Sequence, residues 1–192
     1  VTDKALAKIL HPTDHAVGTK RICVDTNYYE TFNKKHVTLV DVRQCPIQSI
    51  TKTGLLTRDN SYDLDVMIFA TGFDAMTGTL MRIDIRGIGG MQLSKKWAKS
   101  PNNFLGLSVA GFPNFFVITG PGSPSVLSNM VLSIEQHVEW IARCISDVGR
   151  QGAKCIEVTE TAEKEWVAHV NEIAQQTLFP QNDSWYLGSN IV

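Results

Sequence analysis

Ile118-Thr119-Gly120-Pro121-Gly122-Ser123-Pro124-Ser125-Val126-Leu127-Ser128-Asn129-Met130, continuing into Val131-Leu132-Ser133-Ile134-Glu135-Gln136, organises the rest of this chain. In front of it stands Phe115-Phe116-Val117-Ile118, an apolar and partly β-branched run that predicts a buried strand ending in Gly and Pro turn residues. Behind it the apolar spacing predicts a long helix starting near Ser128. A strand that turns stiffly into a helix aims the helix's first N–H groups at one point. That point suits a phosphate, a ring oxygen or another electron-rich atom. The same spacing also describes an ordinary βα turn with no ligand, so the decision has to come from the rest of the chain.

Composition narrows the field. The chain has 192 residues, 43% hydrophobic and 19% charged, enough for one large domain or parts of two around a sizeable core. A formal charge of −1 leaves no basic excess to neutralise a nucleic acid. No apolar run reaches membrane-spanning length, and residues 1–20 show no signal-peptide pattern. The four cysteines, Cys23, Cys45, Cys144 and Cys155, lack CxxC or Cys/His ligand spacing. They read as reduced, mostly packed thiols of a cytoplasmic protein with no metal site.

In chain order, residues 1–10 read as the last turns of a helix stopped before Pro12, as if the chain began within an element. A polar loop with His11 and His15 follows, then Gly18-Thr19-Lys20-Arg21. Tyr28, Tyr29 and Phe32 suggest a short helix. Residues 37–42 read as a strand, 47–57 as a hairpin bent at Gly54, and 63–71 as a buried strand. Gly72, Gly78, Gly87, Gly89 and Gly90 mark an irregular connection between structural units. The helix over 128–148 places Val131, Ile134, Val138, Ile141 and Ile145 on one face and ends at Gly149 or Gly152. Residues 155–158 fit a short strand, and Thr161 an N-cap for a second helix reaching Phe179.

Few side chains suggest chemistry by themselves. Lys20-Arg21 offers a guanidinium and an ammonium to a phosphate or other anion, and it also fits a solvated surface pair. His11 and His15 have a spacing a metal can use, but Pro12 breaks a shared helix and no third ligand is near. His137 reads as a partly buried structural histidine. Trp185 fits either a surface aromatic or a stacking lid over a nucleotide. There is no GxGxxG, so the chain supplies no dinucleotide fingerprint, and no GxSxG, so Ser125 is not a nucleophile-elbow serine.

Several segments taken together resemble the Baeyer–Villiger flavin monooxygenases, nearest the phenylacetone and cyclohexanone monooxygenase branch. They are Gly18-Thr19-Lys20-Arg21 with Asp25 and Tyr28-Tyr29-Glu30-Thr31-Phe32-Asn33, then Phe69-Ala70-Thr71-Gly72-Phe73-Asp74-Ala75 and Ile83-Asp84-Ile85-Arg86-Gly87. Phe104-Leu105-Gly106-Leu107, Gly111-Phe112-Pro113-Asn114, the Gly-Pro-Gly-Ser-Pro-Ser turn and Ser184-Trp185-Tyr186-Leu187-Gly188-Ser189-Asn190 complete the set. The resemblance covers essentially the whole chain in one order. It implies an α/β fold, the C-terminal part of a flavoprotein with two Rossmann-like domains for FAD and NADP. Residues 1–17 are then expected to end an inserted helical subdomain, 18–70 to close the NADP-binding domain, and 71–192 to form the second half of the FAD-binding domain. Both glycine fingerprints of the family would lie in an N-terminal portion that acts as this chain's partner.

The resemblance also implies a reaction: NADPH- and FAD-dependent insertion of oxygen from O2 into ketones through a C4a-peroxyflavin, giving esters or lactones. Arg21 matches the active-site arginine, and Lys20 the lysine that contacts the NADP 2′-phosphate. Trp185 matches the mobile-loop tryptophan over the nicotinamide cofactor, and Met130 the residue at a helix start beside the flavin pyrimidine. Ser125, Val126 and Leu127, with Pro124 before them, match the bulged loop lining the ketone pocket; Ile22 and Cys23 match further pocket positions. A permanently charged guanidinium fits such a role because arginine does not lose its proton and stabilises charge developing on oxygen. Two alternatives stay open: an N- or S-oxygenating flavin monooxygenase, and a chain without activity or cofactor affinity of its own.

Overall fold

The computed structural model describes residues 1–123, 128–182 and 185–187 and divides the chain into two units. One unit comprises Val1–Asp14 and Cys23–Gly72, the other His15–Ile22 and Phe73–Val192.

In the first unit, helix α1 (Lys4–Leu10) starts at an N-cap of its own. The Asp3 carboxylate accepts from the amides of Ala5 at 2.7 Å and Leu6 at 3.3 Å. The expectation of a helix already under way at residue 1 is thereby corrected. Helix α2 (Tyr28–Thr31) is the expected short helix. Asp25 accepts from the Tyr28 amide, and Tyr28 meets the rings of Tyr29 and Phe32 edge-on at 5.2 and 5.3 Å.

Strands β1 (Ile47–Ile50), β2 (Gly54–Thr57) and β3 (Ser61–Asp63) form an antiparallel sheet in that order. The expected hairpin is present, but Gly54 opens β2 instead of making the bend. A Cβ at Gly54 would stand 1.9 Å from the Tyr62 carbonyl oxygen, so only glycine lets β2 and β3 approach this closely. Of the expected strands, 37–42 forms no ladder, and of 63–71 only Asp63, the last residue of β3, pairs. Val66 and Ile68 are 75% and 85% exposed. An apolar run becomes a buried strand only when neighbours pair with its backbone and cover its faces, and the described residues supply none here.

In the second unit, helices α3 (Gly78–Arg82) and α4 (Leu93–Lys96) pack around Leu93, Trp97, Val109 and Phe112, with Leu80, Met81, Ile85 and Phe115 against them. Trp97 donates its Nε1–H to the Asn102 carbonyl at 2.8 Å, which satisfies its polar edge inside this core. Helix α5 (Met130–Arg150) begins two residues later than expected, because Asn129 and not Ser128 is the cap: its side chain accepts from the Val131 amide at 3.0 Å. Its apolar stripe is only partly covered, with Val131, Ile134, Val138 and Ile145 exposed. Gly152, at φ +65°, turns the chain after the helix.

Helix α6 (Glu160–Gln175) is capped by Thr159, which accepts from the Ala162 amide. Thr159 is two residues ahead of the expected Thr161, and this start puts Glu160 and Glu163 in the first turn, where the helix dipole favours negative charge. The helix ends at Gln175, four residues short of Phe179, which starts a separate 3-10 turn (Phe179–Gln181). Residues 155–158 form no strand. Asn114 holds them instead: its amide donates to the Ile156 carbonyl, its Oδ1 accepts from the Ile156 amide, and its Nδ2 donates to the Lys154 carbonyl.

Candidate functional site

The Gly-Pro turn is built by side chains from distant parts of the second unit. Phe115–Ile118 pairs with residues 107–108 through an isolated bridge, Ser108 with Phe116, and a bond from the Val117 amide to the Leu107 carbonyl. This is a single contact, shorter than the strand expected there. Thr119 then takes φ +52°, a left-handed conformation costly for a β-branched residue. Its amide donates to Nδ1 of His137 on α5 at 3.0 Å, so His137 is a structural anchor that fixes turn to helix. As the acceptor, Nδ1 of His137 carries no proton, so the ring N–H is at Nε2.

Asn103, buried, holds the other side. Its Nδ2 donates to the carbonyls of Pro121 at 2.7 Å and Pro101 at 2.9 Å, and its Oδ1 accepts from the Gly106 amide at 2.7 Å. The Gly120 amide reaches the Gly106 carbonyl at 3.0 Å, and Ser123 closes the turn on the Gly120 carbonyl. A Cβ on Gly106 would meet the Ser123 hydroxyl at 2.3 Å. These bonds leave residues 119–123 rigid at the approach to α5, whose first residue is Met130.

A second anchor lies on the far side of the turn. Glu163, 5% exposed, accepts from the Ala110 amide at 2.9 Å and pairs with the Lys96 ammonium at 3.0 Å, while Lys96 donates to the Ala110 carbonyl. Glu157 accepts from the Gly111 amide. Neither Asn103 nor Glu163 is legible as an anchor in the sequence, since an Asn beside Pro and a Glu in a first helical turn are common.

Lys20, Arg21, Ile22, Met130 and Trp185 all fall in this second unit, whereas Cys23 opens a segment of the first. The loop before Arg21 is fixed by buried Thr19, whose hydroxyl and amide both donate to the Ala16 carbonyl. Lys20 is half-buried; Arg21, Ile22 and Cys23 are exposed. The Ala16 amide donates to Oδ1 of Asn182 at 2.9 Å, which ties this loop to the chain leading into the 3-10 turn Trp185–Leu187. Within that turn Tyr186 is half-buried; burial raises its phenol above the ordinary value, and the charge of Arg21 opposes the shift. Pro124, Ser125, Val126 and Leu127 lie outside the described residues.

Two consecutive cations on a fixed loop suit a phosphate-bearing dinucleotide, and the positive end of the 21-residue α5 suits an electron-rich ring oxygen. The donor set therefore fits part of an FAD and NADP site. The phosphate-cradling glycine loops are not in this sequence. Among the described residues no cluster of His, Cys, Asp and Glu could hold a metal ion, and no helix is long and apolar enough to cross a membrane. No disulfide joins the four cysteines; Cys23 and Cys155 are exposed and only Cys45 and Cys144 half-buried, less packed than expected.

No family model matches the chain. A Baeyer-Villiger monooxygenase of Pseudooceanicola batsensis is 42% identical over 192 residues, all of this chain and 34% of that protein. The phenazine N-monooxygenase PhzNO1 of Lysobacter antibioticus is also 42% identical over 192 residues, all of this chain and 35% of that protein. Among solved structures, an oxidized steroid monooxygenase bound to NADP is 50% identical with a TM-score of 0.89, over 99% of this chain and 36% of the other. The OTEMO complex with FAD and NADP is 44% identical with a TM-score of 0.91, over 96% of this chain and 34% of the other. The chain thus spans about a third of the length of the curated relatives it matches. Its mixed helix-and-sheet architecture is the one these monooxygenases carry over the matching region, and in sequence and in fold the chain is similar to about a third of a Baeyer–Villiger flavin monooxygenase.

Proposed function

We propose that this chain serves as the C-terminal portion of an NADPH- and FAD-dependent enzyme that uses O2 to convert ketones into esters or lactones. The observation that carries the reading is the meeting of two family segments from opposite ends of the chain. The Lys20-Arg21 loop and the Trp185–Leu187 turn share one unit, and the Ala16 amide before the one donates to Oδ1 of Asn182 before the other. In this reading residues 18–70 complete the NADP-binding domain, 71–192 the FAD-binding domain, and 1–17 a helical insertion. The apolar run 64–69 and the open stripe of α5 then pack against the N-terminal portion that carries the glycine fingerprints. A cytoplasmic location accords with free thiols.

When bound, NADPH supplies the hydride and FAD the redox chemistry with oxygen, so no side chain has to act as a nucleophile. Lys20 binds the 2′-phosphate of NADP as a point charge. Arg21 holds negative charge that develops on oxygen at the reacting centre; its fixed positive charge persists at every working pH. Met130, first residue of α5, presents the helix's positive end to the flavin pyrimidine, an effect of about 0.3–1 kcal/mol. Trp185 covers the nicotinamide. Ile22, Cys23 and the Pro124, Ser125, Val126 and Leu127 loop shape the ketone pocket.

The test is a substrate panel with the complete enzyme: cyclic and aryl ketones, with 18O2 and mass spectrometry of the products. One labelled oxygen in an ester or lactone supports the reading; NADPH consumption without oxygenated product from any ketone overturns it. The identity to a phenazine N-monooxygenase supports a second reading, oxygenation at a ring nitrogen. A nitrogen heterocycle in the same panel separates the two.

A further inference from the structure

Helix α5 has one half-buried face, carrying Met130, Ser133, His137, Ile141 and Cys144, and beside it the exposed Val131, Ile134, Val138 and Ile145. Contacts of two kinds reach this side of the helix from the run before the turn. Trp140 meets Phe116 edge-on, with ring centroids 6.4 Å apart. Nδ1 of His137 accepts the Thr119 amide at 3.0 Å. A ring contact tolerates a small turn of the helix, whereas a hydrogen bond weakens steeply once donor and acceptor fall out of line. The directional contact, at His137, therefore sets the rotation of α5 about its axis.

The donor is itself held in place. Thr119, at φ +52°, has a backbone conformation that a β-branched residue keeps only when its surroundings impose it. The next amide, that of Gly120, is bound to the Gly106 carbonyl at 3.0 Å, and Asn103 holds the Pro121 carbonyl at 2.7 Å. The donor thus belongs to the body of the unit and the acceptor rides on the helix. His137 stands seven residues after Met130, two turns less about 20°, so both lie on one face and turning the helix at one turns it at the other.

Resting on the placement of Met130 beside the flavin proposed above, we propose that His137 is the positioning residue for that placement: its bond to Thr119 sets the rotation of α5 and with it the aim of the first α5 amides at the flavin pyrimidine. His137 touches neither cofactor nor substrate. The step it bears on is transfer of a hydride from NADPH, which leaves NADP⁺ and a reduced flavin with one more negative charge. A helix start aimed at that charge favours the reduced form, and a turned helix favours it less.

The test measures the reduction potential of the bound flavin in the complete enzyme, by titration against a reference dye, for His137→Leu, His137→Asn and Asn129→Asp. Leucine fills the space without an acceptor; asparagine puts a carbonyl oxygen where Nδ1 stands. At a fixed potential His137→Leu is expected to move the reduced-to-oxidised ratio about two- to fivefold toward oxidised, about 10–20 mV for a two-electron couple, and His137→Asn to restore it. Aspartate at 129 keeps the N-cap and adds a negative charge at the helix start, so it lowers the potential if the flavin lies there. A purely structural histidine would lower thermal stability and leave the potential unmoved. An unchanged potential in His137→Leu, or a His137→Asn enzyme as low as His137→Leu, overturns the positioning role while a lowered potential in Asn129→Asp keeps the placement of the flavin. If Asn129→Asp leaves the potential unchanged, the underlying placement fails instead. Should His137→Leu not fold, hydrogen exchange at the Thr119 amide of the unaltered enzyme decides: by reciprocity, flavin reduction must slow that exchange, and equal rates in the oxidised and reduced enzyme overturn the proposal.

Discussion

The carboxylate of Glu163 lies 3.0 Å from the ammonium of Lys96 and accepts the Ala110 amide at 2.9 Å, joining α6, α4 and the loop at 108–112 through one almost fully buried group. Lys96 completes the ring by donating to the Ala110 carbonyl. A buried carboxylate is tolerated only when every acceptor is used, and here both oxygens are. Removing one partner strands the other.

Glu163→Ala is therefore expected to destabilise the second unit by about 3–5 kcal/mol, the cost of leaving a buried charge and an amide without partners. Glu163→Gln keeps an acceptor for Ala110 and should lose distinctly less. Urea denaturation of the two variants checks the order; equal losses would mean that the charge pair, and not the amide bond, carries the anchor.

The Asn103 amide bridges the Pro101 and Pro121 carbonyls and the Gly106 amide. Asn103→Ala should cost about 1–3 kcal/mol, because a buried amide and carbonyl lose their partner. The same change should speed amide exchange at Gly106, Gly120 and Ser123 before it is felt in the sheet of the first unit. Exchange followed by NMR reads this directly, and unchanged protection at Gly120 would contradict the role given to Asn103.

In the first unit Arg58 forms a fork on Asp59, Nε to Oδ1 at 2.8 Å and Nη2 to Oδ2 at 3.0 Å. This hydrogen bonding, with Cys45 adding to it, lowers the Asp59 carboxyl from 3.8 to about 2. A depressed carboxyl favours the folded state above the unfolded value near 3.8, and that contribution disappears as pH falls through about 2. Carbon-13 titration of Asp59 should show a midpoint near 2, moving up toward 3.8 in Arg58→Gln. A midpoint already near 3.8 in the unaltered chain would show that the fork does not persist in solution.

Local chemistry was the legible part of this sequence. The 3.6-residue period of 130–150 and the turn residues around Gly54 gave elements within a few residues of where they stand, because caps and periodicity act over one or two turns. The cap expected at Thr161 stands two residues earlier at Thr159, and the helix expected to begin near Ser128 is capped by Asn129. The strands expected at 37–42 and, beyond Asp63, at 63–71 failed for a different reason. Hydrophobicity tells that a run seeks burial, but whether it pairs depends on partners remote in sequence. The site was legible only as a set of segments matching one family. Asn103 and Glu163, which hold the turn and its neighbouring loop, carry no local signal, since their importance comes from contacts between distant residues.

In the proposed reaction the Arg21 guanidinium acts in oxygen transfer and not in delivery of electrons. Single-turnover kinetics of Arg21→Ala in the complete enzyme, with flavin reduction by NADPH followed by stopped flow and ester formation by product analysis, separate the two halves. Reduction should still proceed, with ester formation lowered by about 10²–10³-fold, the effect of deleting one preorganised donor. An ester yield equal to that of the unaltered enzyme would contradict it.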